Sequence, residues 1–151
     1  MIEITIREMT PEHAPAVQGL IRELADFERC PNEVKTSDKD LISNLLDGIF
    51  KGKVALLPNQ ELIGMALYFP YYSTWNGRTL YLEDFYVKPA WRSQGVGQQL
   101  FEAFLQAARD MDAKMVKWQV LDWNEGAKKF YGRYGAKFFP GWENSTIRLQ
   151  D

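Results

Sequence analysis

Three strand-like runs follow one another with no helix between them, and this succession constrains the fold more than any other feature of the chain. Lys53 to Leu57 ends at the turn Pro58-Asn59. Leu62 to Tyr72 ends ahead of Asn76-Gly77, and Leu80 to Val87 is stopped by Pro89. One strand and two helices come first. Ile2, Ile4 and Ile6 alternate with Glu3, Thr5 and Arg7, the period of a half-buried strand. Thr10-Pro11 opens a helix whose Val17, Leu20, Ile21, Leu24 and Phe27 share a stripe, and Pro31 closes the unit. Thr36 or Ser37 caps a second helix with Leu41, Leu45 and Leu46 on one face. After the three runs, Val96 to Asp110 is a long helix with Leu100, Phe101, Phe104, Leu105 and Ala108 on its apolar face. Met115 to Leu121 is a strand, and Glu125 to Tyr134 is a short helix stopped by Gly135. Ser145 to Leu149 is expected as a last strand. The order β-α-α-β-β-β-α-β-α-β predicts a mixed α/β sheet with helices on both faces. No repeat or linker interrupts the 151 residues, so 1–151 reads as one domain.

Charge and composition narrow the function. Lys+Arg 18 against Asp+Glu 20 gives a formal charge of -2. Nucleic acids and anionic membrane surfaces need a concentrated positive field, so neither is expected as a partner. One cysteine, Cys30, rules out an internal disulfide framework. With His13 the single histidine, no protein-built metal site is expected. The first residues carry Glu3, Arg7 and Glu8 rather than an apolar leader, and no run nears the roughly 18 apolar residues of a spanning helix. A soluble cytoplasmic protein is expected.

The stretch Arg92-Ser93-Gln94-Gly95-Val96-Gly97-Gln98 lies between the strand ending at Val87 and the long helix. A strand, a glycine-containing turn and a helix N-terminus together make an anion site, because free backbone N–H groups and the helix dipole both favour negative charge. Gly95 and Gly97 allow close approach to the backbone, and Arg92 adds a charge suited to phosphate. The Rossmann pattern would need a third glycine near Leu100, and a Walker loop would need Gly-Lys-Ser/Thr; both are absent. On spacing alone, two glycines equally make a plain tight turn.

The surroundings carry more. R-x-x-G-x-G after a strand, followed by Asn124-Glu125 ahead of a short helix bearing Phe130-Tyr131, resembles the GCN5-related N-acetyltransferase superfamily. YLEDFYV at 81–87, Trp75-Asn76-Gly77, DWNEGAKKFYGRYGA at 122–136 and Ile21 to Glu28 are similar to its diamine (spermidine/spermine) and thialysine acetyltransferase branch. The likeness spans nearly the whole chain. It implies a central, mostly antiparallel sheet splayed near the cofactor site, and a homodimer.

The resemblance also implies roles. The backbone of Phe85, Tyr86 and Val87 would bind the pantetheine arm of acetyl-CoA, and Ser93, Gln94, Gly95, Val96, Gly97 and Gln98, with Arg92, its pyrophosphate. Asn124, Glu125, Gly126 and Ala127 would complete that cofactor site. Tyr131 would protonate the departing thiolate, Glu83 would orient or deprotonate the amine, and Phe27 and Glu28 would touch the substrate. Asp84 joins Glu83 in one pocket only if a bulge breaks the strand alternation. The implied reaction is acetyl transfer to a primary amine of a small diamine, polyamine or thialysine-like acceptor, by direct attack in a ternary complex, with no metal. The alternatives are a peptide or antibiotic amine as acceptor, or a CoA-binding sensor without turnover. Three departures stand out. Phe27 replaces the tyrosine of human-type polyamine enzymes, and Gly126 replaces a proline. The segment from Lys137 to Glu143 is shorter than theirs and lacks their acidic pair before Trp142.

Overall fold

The computed structural model describes residues 2–150. The chain falls into two compact units, Met1–Gln119 and Val120–Asp151.

The first unit is a five-stranded sheet with helices on both faces. Strands β1 (Thr5–Glu8), β2 (Lys51–Leu56), β3 (Leu62–Ser73), β4 (Gly77–Val87) and β5 (Met115–Trp118) lie side by side in chain order. The first three pairings are antiparallel, and β4 with β5 is parallel. The short turns between β2, β3 and β4 can only reverse the chain, whereas the β4–β5 crossover contains a helix long enough to carry it back. Leu62 to Tyr68 of β3 are all buried, because both faces of this central strand are covered.

On one face, helices α1 (Ala14–Phe27) and α2 (Asp38–Leu46) enclose a core of Val17, Leu20, Leu41, Val54, Met65, Leu67 and Tyr86. Thr10 does precede Pro11, but residues 11–13 form a 3₁₀ turn before α1 begins. Ser37 caps α2: Asp40 N–H donates to Ser37 Oγ at 3.3 Å, and Ser37 N–H donates to Asp40 Oδ2 at 2.8 Å. On the other face lies α3 (Val96–Asp110), at the bounds its apolar stripe predicts. Phe104 packs on Tyr68 and Phe101 on Phe85 and Trp118, with ring centroids 5.6–5.7 Å apart.

The second unit contains α4 (Glu125–Gly132), capped by Asn124. The expected strand from Ser145 to Leu149 is not formed. Residues 142–150 pair with no strand among the described residues, and Ile147 and Leu149 are exposed. Strand propensity is realised only against a partner strand, and this segment has none. No helix of the described residues is long and apolar enough to cross a membrane.

Candidate active site

The alternation of β4 breaks at one place. Tyr68 pairs with Leu82 and Leu67 with Asp84, so Glu83 has no partner on β3. This is a β-bulge, the device that lets neighbouring residues serve one side of a strand. It brings Glu83 and Asp84 together with Glu28, which follows the last turn of α1. Burial pushes the Asp84 carboxyl up to about 7, and the charges of Glu83 and Glu28 add to the shift. Glu28 is raised in the same way, by burial first and by Glu83 second. Three carboxyl groups thus share one place, an arrangement that a cation relieves.

Beside the bulge, β4 has an open edge. Its pairing with β5 runs from Thr79↔Met115 to Leu82↔Trp118 and ends there. Beyond Leu82, the described residues offer Glu83–Val87 no strand on that side, which is the splay implied by the resemblance. The side chains of this stretch are committed to the sheet's faces. Phe85 packs on Phe101, Tyr86 and Val87 are buried, and the Tyr86 hydroxyl donates to Glu23 Oε1 at 3.2 Å. What the edge presents is backbone.

The chain then turns through Pro89–Trp91 into the glycine loop. Ser93 and Gly95 are both left-handed, with φ of 60° and 86°. The first bond of α3 is Gln99 N–H to Gly95 O at 3.1 Å, so the N–H groups of Val96, Gly97 and Gln98 precede the helical ladder. Val96 is buried and fixes the start of the helix. Ser93 and Gln98 are exposed, and Gln98 donates to Glu102 while Gln94 donates to Ala90 O. Backbone donors at the positive end of a 15-residue helix fit a pyrophosphate. Arg92 is engaged differently. Its Nε donates to Val87 O at 2.8 Å, and its guanidinium lies over Tyr86 at 5.1 Å and Phe27 at 5.7 Å. Phe27, placed on the apolar stripe by its spacing, is instead 41% exposed and packs on this cation.

In the second unit, Asn124 Oδ1 accepts from Ala127 N–H at 3.1 Å, closing the N-terminus of α4. Lys128 Nζ donates to Asp122 O at 2.7 Å. Glu125 and Gly126 are exposed. Tyr131 is buried, with its ring edge-on to Phe130 at 5.5 Å.

One group of residues had no signal in spacing. Tyr81, Phe69 and Tyr71 form an aromatic floor on the β3–β4 surface, and Lys117 Nζ lies 5.1 Å from the Tyr71 ring centroid. Only the cross-strand register brings these four together.

Comparison with known proteins agrees with this architecture. Residues 19–136 match the acetyltransferase (GNAT) family model. The chain is 33% identical to the thialysine N-epsilon-acetyltransferase of Sus scrofa, over 91% of this chain and 86% of that protein. It is 34% identical to the protein of the same name from Caenorhabditis elegans, over 87% and 81% respectively. Among solved structures, AAC(6')-Iy in complex with the bisubstrate analog CoA-S-monomethyl-acetylneamine superposes with a TM-score of 0.81. It is 18% identical, over 97% of this chain and 99% of that one.

Proposed function

Because the chain belongs to the GNAT acetyltransferase family and is an N-acetyltransferase, we propose that it moves the acetyl group of acetyl-CoA onto a primary amine of a small cationic acceptor, of the diamine or thialysine kind. The observation that carries this reading is the bulge at Glu83, which gathers three carboxylates next to the open edge of β4. The relatives' name, thialysine N-epsilon-acetyltransferase, supports an acceptor of that size.

The chemistry follows from the residues. An alkyl amine with a pKa of about 10.4 is an ammonium at neutral pH and cannot attack. Glu83, directly or through a water, takes its proton, while Glu28 and Asp84 hold the cation and Phe27 borders it. The amine nitrogen then bonds to the thioester carbon. Backbone N–H groups of Glu83–Val87 are the donors for the oxyanion that forms, and for the pantetheine arm. The loop from Ser93 to Gln98, positioned by Arg92, and the segment Asn124 to Ala127 hold the rest of acetyl-CoA. As the carbon–sulfur bond breaks, the adduct nitrogen releases its second proton to solvent, and Tyr131 gives its proton to the thiolate and recovers one from solvent. Transfer is direct, without an acyl-enzyme on the exposed Cys30. In this reading residues 1–151 act as one N-acetyltransferase domain in a cytoplasmic homodimer, which light scattering after gel filtration checks.

The deciding experiment is thiol release from acetyl-CoA against putrescine, spermidine, thialysine, lysine, a peptide N-terminus and an aminoglycoside. Preference for one of the small amines is the expected result. Activity confined to the peptide or the aminoglycoside would overturn the acceptor class. Binding of acetyl-CoA with no release on any amine would favour a sensor.

A further inference from the structure

We infer that Lys117 sets the acceptor preference, selecting amines that carry a carboxylate at their far end over amines that carry a second ammonium there. The inference rests on the reading above, in which the reacting amine sits at Glu28, Glu83 and Asp84.

The register supplies the geometry. Lys117 on β5 is opposite Tyr81 on β4, and Tyr81 is opposite Phe69 on β3. Tyr71 is opposite Thr79, two residues from Tyr81 along the same face. The rings form a continuous floor, with Phe69 to Tyr81 at 5.2 Å and Tyr71 to Tyr81 at 5.9 Å. The Lys117 side chain reaches over β4 and rests its ammonium on Tyr71 at 5.1 Å. Tyr81 precedes Glu83 by two residues, a rise of roughly 7 Å at most along a strand. Burial raises the pKa of its hydroxyl, and the Glu83 charge adds to the shift. The face is therefore graded: carboxylates at the bulge, an aromatic floor beside them, and a cation on the floor's far side.

Among the described residues that cation has no anion of its own. Lys114, on the same stretch of chain, pairs with Asp112 at 3.3 Å. No carboxylate among the described residues pairs with Lys117, which is exposed and held by the Tyr71 ring. An acceptor of about five or six carbons spans the floor with its amine at the carboxylates. If its far end is a carboxylate, it meets a complementary charge. If its far end is an ammonium, it meets a like charge on a ring face already taken.

Two acceptors of equal chain length isolate the effect: 6-aminohexanoate and cadaverine differ only in the sign of the far group. Wild-type kcat/KM is expected to favour 6-aminohexanoate, and lysine with it, by about tenfold. Lys117→Met, which keeps the stem on Tyr71, abolishes that preference through KM for the acceptor. Lys117→Glu reverses it, and Lys117→Arg retains it. An unchanged KM for acetyl-CoA in each variant marks an intact fold. A ratio indifferent to the Met and Glu substitutions overturns this inference alone. Wild-type protein that acetylates no amine overturns the proposed function and this inference with it.

Discussion

The Arg92 guanidinium is stacked between the glycine loop's own base and the end of α1: it lies 5.1 Å from the Tyr86 ring centroid and 5.7 Å from that of Phe27, with Nε bonded to Val87 O. Tyr86 is tied in turn to Glu23 of α1. One side chain thus joins the loop proposed for the pyrophosphate to the helix that ends at Glu28.

This geometry predicts that Arg92 acts by positioning. Arg92→Met should raise KM for the amine as well as for acetyl-CoA, and should cost the same factor with S-acetylpantetheine, a donor without the pyrophosphate. A loss seen with acetyl-CoA but absent with S-acetylpantetheine would identify Arg92 as a phosphate ligand instead. Lysine at this position keeps the charge but not the planar stack, so Arg92→Lys should rescue little.

Asp84 makes stability depend on pH in a predictable direction. Its pKa in the folded protein is about 7, against the ordinary 3.8. Between those values the folded chain holds a proton that the unfolded chain has released, so stability falls as pH rises through this window and is level above it. The contribution is on the order of a few kcal/mol. Thermal melts from pH 4.5 to 8.5 should show Asp84→Asn less sensitive to pH than wild type, and more stable at pH 8. Parallel profiles for the two proteins would contradict the burial argument. A dicationic ligand should narrow the difference, because it supplies the positive charge that the proton otherwise provides.

The strands and helices were largely legible, and the site was partly so. Helix α3 could be bounded at Val96 and Asp110 because a local apolar stripe and a left-handed glycine define it without help from elsewhere. Alternation along β4 shows that Glu83 and Asp84 need a bulge to act together. Whether the bulge exists depends on how β4 registers with Leu67 and Tyr68, which no local pattern contains. Phe27 has core spacing, yet α1 ends where Arg92 can take its ring. Ser145 to Leu149 has strand-forming residues but lacks the ladder that would make them a strand. The Lys117–Tyr71 contact spans two strand pairings and was invisible for the same reason.

Gly64 tests the close packing of α3 on the sheet. A Cβ there would lie 2.8 Å from Leu100 Cδ1 and 3.2 Å from the backbone oxygen of Tyr86. The first neighbour can rotate, but the second is part of β4 and cannot move without disturbing the bulged strand. Gly64→Ala should therefore destabilise by about 1–3 kcal/mol. Denaturant unfolding checks this, and a midpoint equal to wild type would mean that α3 shifts freely. The same variant should weaken CoA binding, since Leu100 lies one turn into the helix whose N-terminus is proposed to hold the pyrophosphate.

Tyr131 provides the clearest test of the proposed chemistry. The thiolate of CoA leaves as a base with a conjugate pKa of about 8.5, and a tyrosine of pKa about 10 can protonate it at a modest cost in acidity. Tyr131→Phe keeps the buried ring and its packing on Phe130 and removes only the hydroxyl. Its kcat should fall about 100-fold, the usual scale for a lost general acid, with acetyl-CoA affinity nearly unchanged by calorimetry. The acid is needed only when the leaving thiol is basic. With an acetyl thioester of an acidic thiol, such as 4-nitrothiophenol, wild type and Tyr131→Phe should therefore converge. An equal loss with both donors would show that the hydroxyl positions a substrate, and unchanged turnover with acetyl-CoA would remove Tyr131 from the mechanism.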